Sequence, residues 1–112
     1  MHNPSRQLLL DSILQLVEQA RPLVEAVAKR DRDLASQIRR ALSSVALNAA
    51  EAFGNSAGNT RLRMQSALGS FYEARAGLRV AAGWRYIPPE ECAALLAAND
   101  QLGARLYTLA HR

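Results

Sequence analysis

Apolar residues recur every three or four positions through almost all of this chain, the spacing of helices that each bury one face. In the first segment Leu9, Ile13, Leu16, Val17, Ala20, Val24 and Val27 keep that period. Asn3 followed by Pro4 reads as an N-cap with proline at the first helical position. Pro22 falls inside the pattern and predicts a bend or one lost hydrogen bond. The charged run at 29–33 then marks a turn. A second helix is predicted from about Asp33 to Phe53, with Leu34, Ile38, Ala41, Leu42, Val45, Ala49, Ala52 and Phe53 as its buried stripe.

Residues 54–59, rich in glycine, asparagine and serine, give the clearest loop signal, with Gly54 a candidate C-cap. Asn59 or Thr60 is expected to cap a third helix that continues to roughly Trp84, on the stripe Met64, Ala67, Leu68, Phe71, Leu78 and Ala81. Tyr86-Ile87-Pro88-Pro89 ends it, because a residue before proline is pushed out of the α region. Pro89 opens a fourth helix, with Glu90 and Glu91 near its positive end. Cys92, Leu95, Leu96, Asn99, Leu102, Leu106 and Leu109 carry the pattern close to the last residue. Four helices with short connections predict an all-α, antiparallel up-down-up-down four-helix bundle in a single domain spanning residues 1–112. Leu8, Leu9 and Leu10 point in three directions around one helix, so part of that surface faces away from the intramolecular seam.

Composition agrees with helices. The chain has 112 residues, room for one core, and is 49% apolar but only 5% aromatic, so leucine and alanine carry the packing. β-Branched residues are scarce and strand alternation is absent, which argues against a sheet. The formal charge is +4, and its distribution matters more than its total. Residues 1–33 balance to zero. Residues 34–88 hold seven arginines against Glu51 and Glu73, while residues 89–112 carry a slight negative excess. All but one of the basic residues are arginine, which favours planar bidentate contacts to carboxylate or phosphate.

Several classes of chemistry find no support. Cys92 is the only cysteine, which excludes an intrachain disulfide and a cysteine-based zinc site, and it reads as a small hydrophobe. His2 and His111 stand at opposite ends, so no metal centre is expected. Glu51 and Glu73 lack the glutamate-x-x-histidine motifs of a di-metal bundle. Ser70 has no histidine or lysine arrangement to activate it, and no glycine-rich phosphate loop occurs. The expectation is therefore a protein without catalytic residues, metal or cofactor. No uncharged apolar run approaches the roughly 20 residues of a membrane span, and no signal-peptide core is present. A cytoplasmic location is expected.

The polar residues of the two central helices carry a resemblance. Ser36, Gln37, Arg39, Arg40, Ala41, Ser44, Val45, Asn48, Ala50, Glu51, Phe53 and Gly54 form one block. Arg61, Arg63, Ala67, Gly69, Ser70 and Glu73 form a second, followed by Leu78 and the Tyr86-Ile87 pair. Together they resemble the bacterial four-helix-bundle proteins also called 23S rRNA intervening-sequence proteins. The likeness covers residues 34–90 well and the terminal helices by periodicity alone. Ala46-Leu47 stands where the family has proline-serine, and Ala52 where it has glycine, so the second helix should be more continuous here. Aromatic residues common in the family's first helix are missing. The resemblance implies a homo-oligomeric ring, often a pentamer. Through a related accessory protein of diversity-generating retroelements, it also implies binding to nucleic acid and association with a protein partner.

Arg39, Arg40, Arg61 and Arg63 flank the central turn, and Arg75 and Arg79 lie one helical turn apart further along the third helix. These six are the candidate nucleic-acid contacts; pairing of Arg40 or Arg63 with Glu51, Glu73 or another subunit's carboxylate is the structural alternative. Asn48, Glu51, Ser70 and Glu73 are the candidate structural polar residues, and Asn48 is expected to hydrogen-bond toward the third helix. Trp84 and Tyr86, beside the two prolines, read as packing at a helix turn. The leading expectation is a non-enzymatic oligomer, in the role of an adaptor, whose basic surface contacts RNA or DNA phosphates. The alternative is a structural or protein-interaction oligomer whose arginines organise subunit contacts.

Overall fold

The computed structural model describes residues 3–54 and 57–112. Five helices follow one another: α1 (Pro4–Ala28), α2 (Arg32–Phe53), α3 (Ala57–Gly83), α4 (Pro89–Ala98) and α5 (Asp100–Ala110). The starts of α1 and α2 are fixed by side chains. Asn3 Oδ1 accepts from the Ser5 and Arg6 amides at 3.0 and 3.3 Å, and Asp31 accepts from the Leu34 amide at 2.9 Å. Pro22 sits on the exposed side of α1, which continues through it. The proline removes the bond to the Glu18 carbonyl on a face where water can replace it.

The expected four-helix bundle is overturned: the chain has five helices, because the last arm breaks at Asn99. The physical reason is a side chain competing with the backbone. Asn99 leaves the helical region (φ −114°, ψ 14°), and its amide N–H turns to the Leu96 carbonyl. Its Nδ2 donates instead to the Leu95 carbonyl at 2.9 Å, the acceptor its own N–H would have used, and to Gln19 Oε1 on α1 at 3.0 Å. At 8% exposure it is the one buried polar side chain among the described residues, and both partners are needed to offset its burial.

The loop between α2 and α3 is also shorter than expected. Helix α3 is already formed at Ala57, so Asn59 and Thr60 lie within it rather than capping it. The cap lies outside the described residues. Thr60 Oγ1 donates to the Ala52 carbonyl at 2.9 Å and so ties the start of α3 to the end of α2. At its other end, beyond Gly83, the left-handed position that closes α3 is held by arginine. The Tyr86 amide bonds the Ala81 carbonyl at 2.9 Å and the Arg85 amide bonds Ala82 at 3.0 Å, with Arg85 left-handed at φ 64°. The Arg85 guanidinium donates to the Ala82 carbonyl at 2.8 Å, which helps hold a conformation disfavoured for a side chain with a Cβ.

Helices α1, α2, α3 and the α4–α5 arm run antiparallel in turn, in an elongated body of 43 × 23 × 22 Å. The core is one contiguous cluster from Leu9, Ile13 and Val27 on α1 to Leu106 and Ala110 on α5. Helices α2 and α3 pack along most of their length, and α1 and α5 flank them. The register of the α2–α3 pair is set by Gly77 against Ile38, Ser70 against Ser44, and Arg63 against Asn48 and Glu51.

Candidate interaction surface on the α2–α3 hairpin

A ladder of polar side chains runs between α2 and α3. The Ser70 hydroxyl donates to Ser44 Oγ at 2.7 Å, and Asn48 Nδ2 donates to both the Ser44 hydroxyl and carbonyl at 2.9 Å. Asn48 Oδ1 accepts from Arg63 Nη1 at 3.4 Å, and Arg63 Nη2 pairs with Glu51 Oε1 at 3.3 Å. Asn48, Ser44 and Ser70 are half-buried. Asn48 thus bonds within its own helix and reaches α3 through Arg63. The Arg63–Glu51 pair is about half exposed and contributes little by itself, on the order of 0–1 kcal/mol. Its use is to fix register. Glu73 is exposed and stands outside this ladder.

The six candidate arginines do not share one surface. Arg39 and Arg40 are about 100° apart on α2. Arg39 borders the α1–α2 groove near Val24, Leu42 and Glu25, while Arg40 lies on the outward side. The helix register puts this pair level with Arg75, roughly 18 Å along the axis from Arg63. Arg61 turns toward α5 and donates to the Arg112 carbonyl at 3.5 Å. Arg79 faces the start of α4, where its charge is felt by Cys92. Burial pushes the Cys92 thiol above its ordinary pKa and outweighs the opposite pull of Arg79. Arg39, Arg40, Arg75 and Arg79 are exposed and have no carboxylate partner among the described residues.

Outward from the ladder, large apolar side chains meet solvent. Leu47 on α2 is 68% exposed, and Leu62 and Val80 on α3 are 59% and 47% exposed. Leu62, Gly69, Ala76 and Val80 follow one another at seven- and four-residue spacing, so they share a single face of α3. A Cβ built on Gly69 meets nothing within 4 Å, so this glycine serves no close packing within the chain. The glycines that admit a neighbouring helix are Gly77, against Ile38, and Gly103, against Phe71. Trp84 is 67% exposed, whereas Tyr86 is half-buried beneath the Arg30 guanidinium, 5.4 Å from the ring centre.

Among the described residues no three histidine, cysteine or acidic side chains converge, and no helix is long and apolar enough to cross a membrane. The fold and the central polar ladder define an all-α helical-hairpin protein. Residues 10–108 match the 23S rRNA-intervening sequence protein family, and the chain belongs to that family. The crystal structure of a protein of unknown function from the S23 ribosomal protein family of Bacteroides thetaiotaomicron superposes with a TM-score of 0.82 at 18% identity. The match covers 93% of this chain and 99% of that one, and at this identity it concerns the fold alone. No curated protein matches the chain. Membership brings neither the expected five-subunit count nor the expected nucleic-acid binding with it, and the comparisons give no link to a retroelement accessory protein.

Proposed function

We propose that this chain acts by self-association, as a non-enzymatic interaction protein whose contact surface is the outward side of the α2–α3 hairpin. The observation that carries the reading is the exposure of Leu47, Leu62 and Val80 around the open space at Gly69. Exposed apolar side chains grouped on one face favour burial against a partner. The same side carries Arg40 and Glu73, charges of both signs, which suits contact with a second copy. Light scattering during size-exclusion chromatography tests this. A mass that is a multiple of 12.2 kDa is expected, falling toward the monomer in Leu62→Glu/Val80→Glu with helical circular dichroism retained. A wild-type monomer at every concentration would sink the proposal.

The dispersed arginines support a second reading, contact with RNA or DNA phosphates. Arg39, Arg40, Arg75 and Arg79 keep their guanidinium forks available, in the part of the chain where positive charge is concentrated. Each phosphate neutralised would release counterions, so affinity for a duplex should fall linearly on logarithmic axes as salt rises. Replacing two of the four by glutamine should reduce that slope by about 2. Fluorescence anisotropy across a salt series reads this directly. Absence of binding at low salt leaves self-association as the function.

A further inference from the structure

One end of the bundle holds a cleft of ≈ 850 Å³ where the start of α1, the end of α2, the start of α3 and the end of α5 meet. Four arginines from distant parts of the chain, Arg6, Arg61, Arg105 and Arg112, line it, and no aspartate or glutamate does among the described residues. Three of them reach across to main-chain oxygens. Arg6 Nη1 donates to Phe53 O at 3.2 Å, Arg61 Nη1 to Arg112 O at 3.5 Å, and Arg105 Nη2 to Ser5 O at 3.4 Å. Those bonds hold the side chains in place; apart from the Arg112 main-chain oxygen, which in the 112-residue chain belongs to the terminal carboxylate, they bring no acidic group against the four guanidinium charges, and most guanidinium N–H donors remain available. The helix ends here come as two N-termini and two C-termini, whose dipoles oppose one another, so the side chains decide the sign of the potential.

The floor is apolar. Leu9 and Met64 are buried beneath the arginines, and the half-buried Phe53 ring lies under the Arg6 guanidinium, 5.2 Å from its centroid. The guanidinium–ring stack offers a flat surface, and its volume is that of a small-molecule site. Guanidinium forks match phosphate oxygens, and several of them together favour an anion of more than one charge over a simple carboxylate. We propose that this cleft binds a phosphomonoester carrying a planar apolar group, with Arg61, Arg105 and Arg112 on the phosphate and the planar group against Arg6, Phe53 and Met64. The source is either a free mononucleotide or the 5′-phosphorylated end of a strand. The site is separate from the hairpin face and from the four arginines considered above, so it stands or falls independently of them.

Isothermal titration of the full chain at low salt tests the proposal, with AMP, adenosine, and a short oligonucleotide carrying either a 5′-phosphate or a 5′-hydroxyl. AMP is expected to saturate, and adenosine to bind roughly tenfold more weakly or worse, because charge-assisted hydrogen bonds are lost. Arg61→Gln/Arg105→Gln should weaken AMP by about tenfold or more while its urea midpoint stays close to wild type. A 5′-phosphorylated strand that outbinds both AMP and its hydroxyl counterpart assigns the site to strand ends; equal affinity for AMP and the strand assigns it to the free nucleotide. The proposal is overturned by absence of saturable AMP and 5′-phosphate binding, by adenosine matching AMP, or by a double variant that binds as wild type. A double variant that unfolds early while AMP shows no binding to wild type would make these arginines helix-end braces only.

Discussion

Leu106→Ala is expected to lower the unfolding free energy by roughly 3–4 kcal/mol, a large share of the ~5–15 kcal/mol that stabilises a domain of this size. Leu106 is fully buried, and α5 docks through it together with Leu102 and Ala110. An 11-residue helix with so few anchors cannot slide inward to refill the space, because Asn99 fixes its start to Gln19 on α1. The lost leucine therefore leaves a cavity as well as lost transfer energy. In urea, with a slope of about 1–3 kcal/mol per molar, the midpoint should fall by about 1–4 M at unchanged slope. Protein concentration must be held constant, since self-association would add its own stabilisation. A midpoint within error of wild type would show that α5 is not docked as described.

Gly77→Val is expected to cost about 2–3 kcal/mol by the opposite mechanism. A Cβ at Gly77 would stand 2.7 Å from Ile38 Cγ1 and 3.5 Å from its Cδ1. Ile38 is 1% exposed and β-branched, so it has little rotational freedom with which to retreat. The α2–α3 pair must then separate where it packs most closely, and the gain in helix propensity over glycine, about 0.5–1 kcal/mol at most, is too small to compensate. The mechanism predicts a non-additive pair. Ile38→Ala alone destabilises, but it makes room for valine, so the double variant should recover about 1 kcal/mol or more relative to additivity. Strict additivity would mean that the two side chains do not contend for the same space.

Periodicity alone gave access to most of the helical framework. The stripes through Ile13, Ile38, Val45, Leu78 and Leu106 point inward as their spacing requires, and Asn3 caps α1 as its position before Pro4 suggested. The break at Asn99 was hidden for a physical reason. Leu95, Asn99, Leu102 and Leu106 keep three- and four-residue spacing across it, so a helix interrupted for one residue preserves the phase that a continuous one would show. The end of α3 at Gly83 was legible to within a residue from Tyr86-Ile87-Pro88-Pro89, but its left-handed closure was not, because Arg85 takes the position where glycine is the usual signal.

At the polar residues the same division holds. Arg63 with Glu51 was readable as a pair, because both lie within two turns of a short loop between antiparallel neighbours. The divergence of Arg39 and Arg40 was legible as well, since neighbours on a helix lie about 100° apart. The arginine cleft had no local signature at all. Arg6 and Arg105 belong to segments whose charges balance or run slightly negative, and only the antiparallel return of α5 onto α1 sets them together, with Arg105 donating to the Ser5 carbonyl.

The interruption at Asn99 also has a mechanical meaning. A continuous helix from Pro89 to Ala110 would act as a stiff rod, so that a push at the cleft end would arrive at the Pro88–Pro89 turn. With the Asn99 N–H redirected to Leu96 and the Leu95 carbonyl taken by the Asn99 side chain, the rod becomes two short levers joined at a point that is pinned to α1. Displacement of α5 at one end of the body is thereby absorbed at the joint, and α4 keeps its own seat against α3.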